Sequence, residues 1–265
     1  MTTLADPFLQ NLPNLPRGAW LTAFRALRRY HRYEVIGMEH LERPGAALLV
    51  SYHGRPLALD NCMLTVSLYE RLGYLPHGVI HGYFGENPML RWLIDGLGFV
   101  TGDGEGIAQA VARGEHILVQ PGGTREGCRS VRHRYEVDWG ERTGYLRLAI
   151  KYRLPIVPVA GAGVDDGYIG LNDGYAWGRR LGLPHRLPLW LGVGVGGLWP
   201  LALPLPVKVT QIIGEPIDLH LRERIDLGEG QGSGDREALL AVHRVVTRAV
   251  QALLDQGQRL ERRGA

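Results

Sequence analysis

Short apolar runs alternate with helix-like stretches along most of this chain, and that alternation is what most limits the folds open to it. Ala46–Tyr52 (AALLVSY), His116–Gln120 (HILVQ) and Ile156–Ala160 (IVPVA) read as strongly hydrophobic strands. Tyr33–Gly37, Gly78–His81, Gly98–Gly102 and Val207–Ile213 are further strand candidates. Helices are expected over Ala58–Gly73, residues 88–96 (PMLRWLIDG), Gly106–Arg113 and Arg142–Tyr152. The order β-α-β-α-β-α-β predicts an α/β layered domain with a largely parallel, mixed central sheet flanked by helices.

Two flanking segments complete the expected organisation. Residues 17–32 (RGAWLTAFRALRRYHR) place Trp20, Ala23, Phe24, Leu27, Tyr30 and His31 on one helical face and Arg25, Arg28, Arg29 and Arg32 on the other. That pattern suits a helix lying on an anionic membrane, and equally a surface helix packed on the domain. After a polar, Gly-rich linker (GEGQGSGD), residues 235–256 carry apolar positions at helical spacing, with Asp235 as candidate N-cap. The expected division is a membrane-contacting segment at 1–32, the α/β domain at 33–220, and a linker with a C-terminal helix on the same domain at 221–265.

Composition narrows the function classes. A formal net charge of +3 is too small to imply nucleic acid. The basic residues are arginine except for Lys151 and Lys208, and guanidinium groups suit phosphates and carboxylates. Cys62 and Cys128 form no CxxC or metal-type cluster and are expected to be unpaired thiols of a reducing compartment. The first residues lack a basic start followed by an apolar stretch, so no signal peptide is expected. Leu187–Val207 has no charged residue, but its four prolines and four glycines argue against a membrane-spanning helix; it is expected instead to contact lipid or acyl chains, the alternative being a buried irregular loop.

The chemistry-bearing residues fall in two places. His53 follows the strand 46–52, where open α/β sheets bind ligands, and Gly54 and Pro56 turn the chain so that Asp60 falls in the first turn of the next helix. An imidazole oriented by a carboxylate can take a proton from a substrate hydroxyl at neutral pH. This resembles a serine-hydrolase triad without the enzyme's own nucleophile. The second place is Gln120–Gly127 (QPGGTREG), directly after a strand. Its Pro-Gly-Gly turn can aim amides at an anion, Thr124 adds a hydroxyl and Arg125 a fork of donors.

These residues, in order over Tyr33 to Pro216, resemble the PlsC-type glycerolipid acyltransferase superfamily, in the branch near diacylglycerol acyltransferase 2 and transmembrane protein 68. His53 with Asp60 matches the family's His…Asp block, and PGGTREG its Pro-Glu-Gly-Thr-Arg or Pro-Gly-Gly block. WGERTGYLRLAIKYRLPIVPVAGAG (139–163) and PLPVKVTQIIGEPI (204–217) are similar to its last two blocks. The resemblance implies that His53 is the general base on an acceptor hydroxyl and Asp60 its orienting partner. It implies that Gly122, Gly123, Thr124, Arg125 and Glu126 bind an acceptor headgroup or donor phosphate. The donor is a thioester of CoA or acyl-carrier protein; no metal or redox cofactor is implied, and the partners are a membrane surface and a lipid acceptor. The expected location is cytoplasmic and peripheral to a membrane.

Three departures favour a neutral acceptor. Six residues rather than four separate His53 from Asp60, Gly122 replaces the third block's glutamate while Glu126 follows the arginine, and Gly98–Gly106 lacks the second block's arginine. A thioesterase or transacylase on the same scaffold and a non-catalytic lipid-binding protein are the alternatives. GDGEG (102–106) and GVGVGG (192–197) lack dinucleotide spacing, and no GxSxG points to an α/β-hydrolase. His81, His116 and His133 have no partner at metal-ligand spacing.

Overall fold

The computed structural model describes residues 15–80, 88–101, 104–182, 188–217 and 233–264. Ten strands are described: β1 (Glu34–Ile36), β2 (Leu48–Ser51), β3 (His77–Ile80), β4 (Val100–Thr101), β5 (Ile117–Val119), β6 (Ile156–Ala162), β7 (Ile169–Gly170), β8 (Gly192–Gly194), β9 (Gly197–Leu198) and β10 (Thr210–Ile213). The helices are α1 (Leu15–Tyr30), α2 (Leu59–Leu72), α3 (Pro88–Leu97), α4 (Glu105–Ala112), α5 (Thr124–Gly127), α6 (Gly144–Tyr152), α7 (Gly174–Arg180) and α8 (Ser233–Gly264). His81, the linker at 221–232 and Leu187 lie outside the described residues.

Seven strands form the central sheet in the order β1-β10-β6-β2-β5-β3-β4. β6, β2, β5, β3 and β4 pair in parallel, and β10 meets β6 antiparallel with β1 parallel to β10 beyond it. The sheet is therefore mixed and largely parallel, as the alternation predicts. β2 lies at its centre and all four of its residues are buried, because helices cover both faces. The period-two geometry of a strand divides its side chains. Leu48 and Val50 join a core with Trp139, Leu146 and the α8 residues Leu239, Val242, Val246, Val250 and Leu254. Leu49 joins the opposite core with Leu64 and Leu68 of α2.

The flanking helices differ from the sequence expectation in detail. α1 begins at Leu15 and ends at Tyr30, and its apolar face is used within the protein. Leu21 is buried, Phe24 and Leu27 pack beside Met63, Val164 and Val209, and the Trp20 indole donates to Thr65 Oγ1 at 2.9 Å. Its arginine face faces outward, with Arg25 and Arg28 paired to Glu70 at 2.8 and 2.6 Å. α8 begins at Ser233, so Asp235 sits in its first turn rather than capping it, and it runs on to Gly264. The longer helix keeps an apolar stripe against the sheet through Leu254.

The apolar Pro/Gly segment is partly ordered as strand. β8 and β9 make a hairpin that joins β7 in a separate antiparallel sheet, β7-β8-β9. Among the described residues, no helix is long and apolar enough to cross a membrane.

Because Leu254 is fully buried where α8 crosses the sheet, Leu254→Ala should destabilise the fold by about 3 kcal/mol. Urea denaturation should show this as a lower midpoint at unchanged slope.

Candidate active site

The site lies at the C-terminal end of β2, where Tyr52 and His53 leave the sheet. Gly54 permits the turn: a side chain there would press on Val164 and on Asp60 Oδ1, the latter at 2.8 Å. The Gly54 carbonyl lies 3.1 Å from His53 Nδ1 and also accepts from the Ala58 N–H at 2.9 Å. A carbonyl can only accept, so Nδ1 carries the imidazole proton and Nε2 keeps its lone pair. The ring is mostly enclosed, and this burial lowers the His53 pKa to about 4, leaving the imidazole neutral at physiological pH.

Asp60 stands in the first turn of α2, fully buried. Its Oδ2 accepts from Asn61 Nδ2 at 3.1 Å, while Oδ1 has no hydrogen-bond partner. Burial pushes its carboxyl well above the usual carboxylate range. Asp60 and His53 flank Gly54, and among the described residues no hydrogen bond joins them directly. Gly161 of β6 leaves the space that the Asp60 carboxylate fills, its absent Cβ falling 2.6 Å from Asp60 Cβ.

The PGGTREG segment folds as a turn into the single-turn helix α5. Its glutamate bends back over the turn: Glu126 is fully buried, and a side chain at Gly122 would collide with its carboxyl group. The carboxylate accepts from the His53 N–H at 3.0 Å and from the Asp138 N–H at 2.8 Å. Gly122 and Glu126 thus form one device, in which the absence of a side chain at the first position makes room for the second. Gly127 allows the ring of His53 to approach, since a Cβ there would lie 2.7 Å from His53 Cε1 and from the Pro56 carbonyl. Burial raises the Glu126 pKa to about 7.

Arg125 lines a cleft of about 1010 Å³. Thr124 Oγ1 hydrogen-bonds the Tyr175 hydroxyl, and Arg125 Nε donates to Asp138 Oδ2 at 2.8 Å. Arg142 Nη1 donates to the carbonyls of Pro121 and Gly122 at 2.9 and 2.7 Å and so braces the turn. His133, which the sequence offered no reason to select, lines the same cleft with Arg129, Asp173 and Arg179. His116, by contrast, is structural: its Nδ1 accepts from the Ala47 N–H and its Nε2 donates to the Leu41 carbonyl, each at 3.1 Å.

Beneath His53 lies a buried network that sequence reasoning missed. Asp165 accepts from the Tyr52 hydroxyl at 2.6 Å, the Arg55 N–H at 3.1 Å and the Tyr135 N–H at 2.9 Å. Arg129 donates to Tyr52 Oη, and the fully buried Arg55 guanidinium donates to the carbonyls of Asp165 and Arg129. The sequence held one local sign of it, a charged Arg55 between two turn residues. Cys62 and Cys128 are free thiols, each raised to about 12 by burial. No group of three or more His, Cys, Asp or Glu among the described residues could hold a metal ion.

His53 thus stands at the end of a central strand, its proton held on Nδ1 by the Gly54 carbonyl, a geometry in which an imidazole can accept a proton at Nε2. Residues 32–161 match the Acyltransferase family. The chain belongs to this PlsC-type acyltransferase superfamily, a class of enzymes that transfer acyl groups. It is similar to the "DGAT1/2-independent enzyme synthesizing storage lipids" of Gallus gallus, at 33% identity over 72% of this chain and 53% of that protein. The Homo sapiens protein of the same description is 28% identical over 71% of this chain and 54% of its own length. The chain therefore spans about half the length of these curated relatives. Among solved structures it is similar to the 1-acyl-sn-glycerophosphate (LPA) acyltransferase PlsC of Thermotoga maritima, with a TM-score of 0.47 and 17% identity over 89% of this chain and 82% of that one.

Two outcomes test this geometry. Gly127→Ala should displace the His53 ring and lower kcat about a hundredfold with little change in circular dichroism. The raised pKa of Glu126 makes the folded state bind more protons than the unfolded chain between about pH 4.5 and 7. Its contribution to stability is full below that window and is lost as pH rises through about 7, a loss of roughly 3 kcal/mol at most. Thermal melts across the window should show the stability advantage of the wild type over Glu126→Gln shrinking as pH rises through it.

Proposed function

We propose that this chain moves a fatty acyl group from a thioester, of CoA or acyl-carrier protein, to the hydroxyl of an uncharged lipid at a membrane surface. The observation that carries the reading is the His53 imidazole, with Nδ1–H held by the Gly54 carbonyl and Nε2 free. Nε2 takes the acceptor hydroxyl's proton while the oxygen attacks the thioester carbonyl. The tetrahedral intermediate then collapses, the C–S bond breaks, and the imidazolium returns the proton to the departing thiolate. The products are an ester and a free thiol, with no net change in protons or electrons. Asp60 is the positioning residue of this scheme, acting on the far side of Gly54.

The charges of the cleft support an uncharged acceptor. A phosphate monoester needs cations free to meet it, whereas Arg125 is paired with Asp138 and Arg142 is engaged by two carbonyls. Glu136, Asp138 and Asp173 stand among the arginines, so the cleft is mixed in sign rather than positive. The relatives' description as enzymes synthesizing storage lipids supports the same acceptor class. Gly122–Thr124 and Arg125 in this reading contact the acceptor's polar end.

The test is transfer from radiolabelled long-chain acyl-CoA, or acyl-carrier protein, to lysophosphatidate, monoacylglycerol, diacylglycerol and a fatty alcohol in vesicles. The expected result is ester formation on the uncharged acceptors, lowered at least about a thousandfold in His53→Ala. The acid limb of kcat/KM should fall near pH 4 rather than 6.5. Free thiol released without any ester would show a thioesterase instead, and lipid binding without either product would show a non-catalytic protein.

A further inference from the structure

The separate three-stranded sheet has two unlike faces. Tyr168, Gly170, Trp190, Gly192 and Gly194 turn inward, and the glycines leave room for the Trp190 and Tyr168 rings. Trp190 Nε1 donates to the Arg129 carbonyl at 3.0 Å, which seats this inner face on the buried network beneath His53. The outer face follows from the register. Ile169 lies opposite Val193, and Val193 opposite Leu198. Alternation puts Leu171 and Val195 on the same side, and the Val195–Leu203 bridge extends it by one more residue.

Every one of these outward residues is aliphatic. Leu171 is 59% exposed, Leu203 65%, and Leu201, in the turn after β9, 95%. Antiparallel sheets with one covered face ordinarily present polar residues on the other. A contiguous aliphatic face of this kind marks a contact surface.

The charges beside the face select its partner. Residues 188–207 contain no acidic residue. The nearest acids are engaged: Asp166 accepts from the Tyr135 hydroxyl and Asp173 caps α7 through the Tyr175 N–H. The strap at 203–207 is tied to the end of α1, where Tyr30 Oη donates to the Pro204 carbonyl at 2.7 Å and Arg32 to the Pro206 carbonyl at 3.2 Å. Exposed Arg32 therefore borders the strap beside the aliphatic face, and exposed Arg180 ends α7 on the same subdomain. Aliphatic side chains bordered by arginines complement an anionic bilayer, whose interior takes the former and whose headgroups take the latter.

We propose that the outer face of the β7-β8-β9 sheet is the membrane-docking surface of this protein, inserting Leu171, Leu201 and Leu203 into an anionic bilayer. This rests on the reading that the acceptor is a lipid. It narrows the expected docking regions, the helix at 17–32 and the segment 187–207, to one face of a small sheet, since the apolar side of α1 is covered by α2.

The test is flotation of the full chain with phosphatidylcholine vesicles, with and without phosphatidylglycerol. The wild type is expected to float with the anionic vesicles. Leu171→Asp/Leu201→Asp/Leu203→Asp should reduce partitioning about tenfold or more at unchanged circular dichroism. Leu201→Ser, at a position making almost no internal contact, should lower it severalfold and keeps the proposal testable if the triple variant misfolds. A wild type that stays in solution, or sheet variants that float as well as the wild type, overturns the proposal. So does a dimer that the variants convert to monomer with flotation unchanged, which gives the face to a second copy. Transfer in detergent micelles separates the two readings. Unaffected flotation with intact His53-dependent transfer removes only the docking surface, and the expected flotation without transfer removes only the catalytic reading.

Discussion

Asp165 is a carboxylate with no exposed surface, and much of the site is arranged around it. A buried charge is tolerable only when donors surround it, and here they come from β2's extension (Tyr52), the turn behind His53 (Arg55) and the 129–135 loop (Tyr135). Two stretches far apart in the chain, 52–55 and 129–135, are thereby held to the end of β6. His53 lies between two of these anchors, Tyr52 and Arg55, so its backbone is fixed before any substrate arrives. Preorganisation of this kind is what the proposed role of His53 as a base requires.

The second constraint is space. Gly54, Gly122, Gly127 and Gly161 surround His53, Asp60 and Glu126, and at each a side chain would meet one of those groups. The polar atoms can be packed this closely because the backbone beside them is bare. Close packing also excludes water, and burial then moves three acid–base groups in directions that suit their positions. His53 is kept neutral, while Asp60 and Glu126 are pushed towards their protonated forms. Glu126 keeps its place by accepting two backbone N–H groups, one of them from His53 itself.

The same network joins the site to the outer sheet. Arg129 donates to Tyr52 Oη on one side, and its carbonyl accepts from Trp190 on the other. Gly170 of β7 lies against the Arg55 guanidinium and the Arg129 carbonyl. The small sheet is thus built on the loop that carries His53 and Arg55 rather than appended to the rim of the large one. Its inner face satisfies polar groups, and its outer face is left to the surroundings.

Much of the architecture was legible in the sequence because strands and helices announce themselves by period and length. The buried strands β2, β5 and β6, the helix after His53 and the apolar stripe of α8 are local patterns, and local patterns survive without knowledge of partners. The acyltransferase blocks were legible for a related reason: His53, Asp60 and the PGGTREG turn are tied to particular strand ends. What tertiary structure alone decided were the pairings. Asp165 lies 110 residues from Arg55, and no spacing rule links them. The segment 188–207 showed its apolar character in the sequence, but not that Trp190 and Tyr168 fill the room its glycines Gly192 and Gly194 leave. The arginine face of α1 could be read from helical period, but whether its apolar face met lipid or α2 depended on what lay opposite. Periodicity tells a chain which side to bury; only the folded neighbours determine against what.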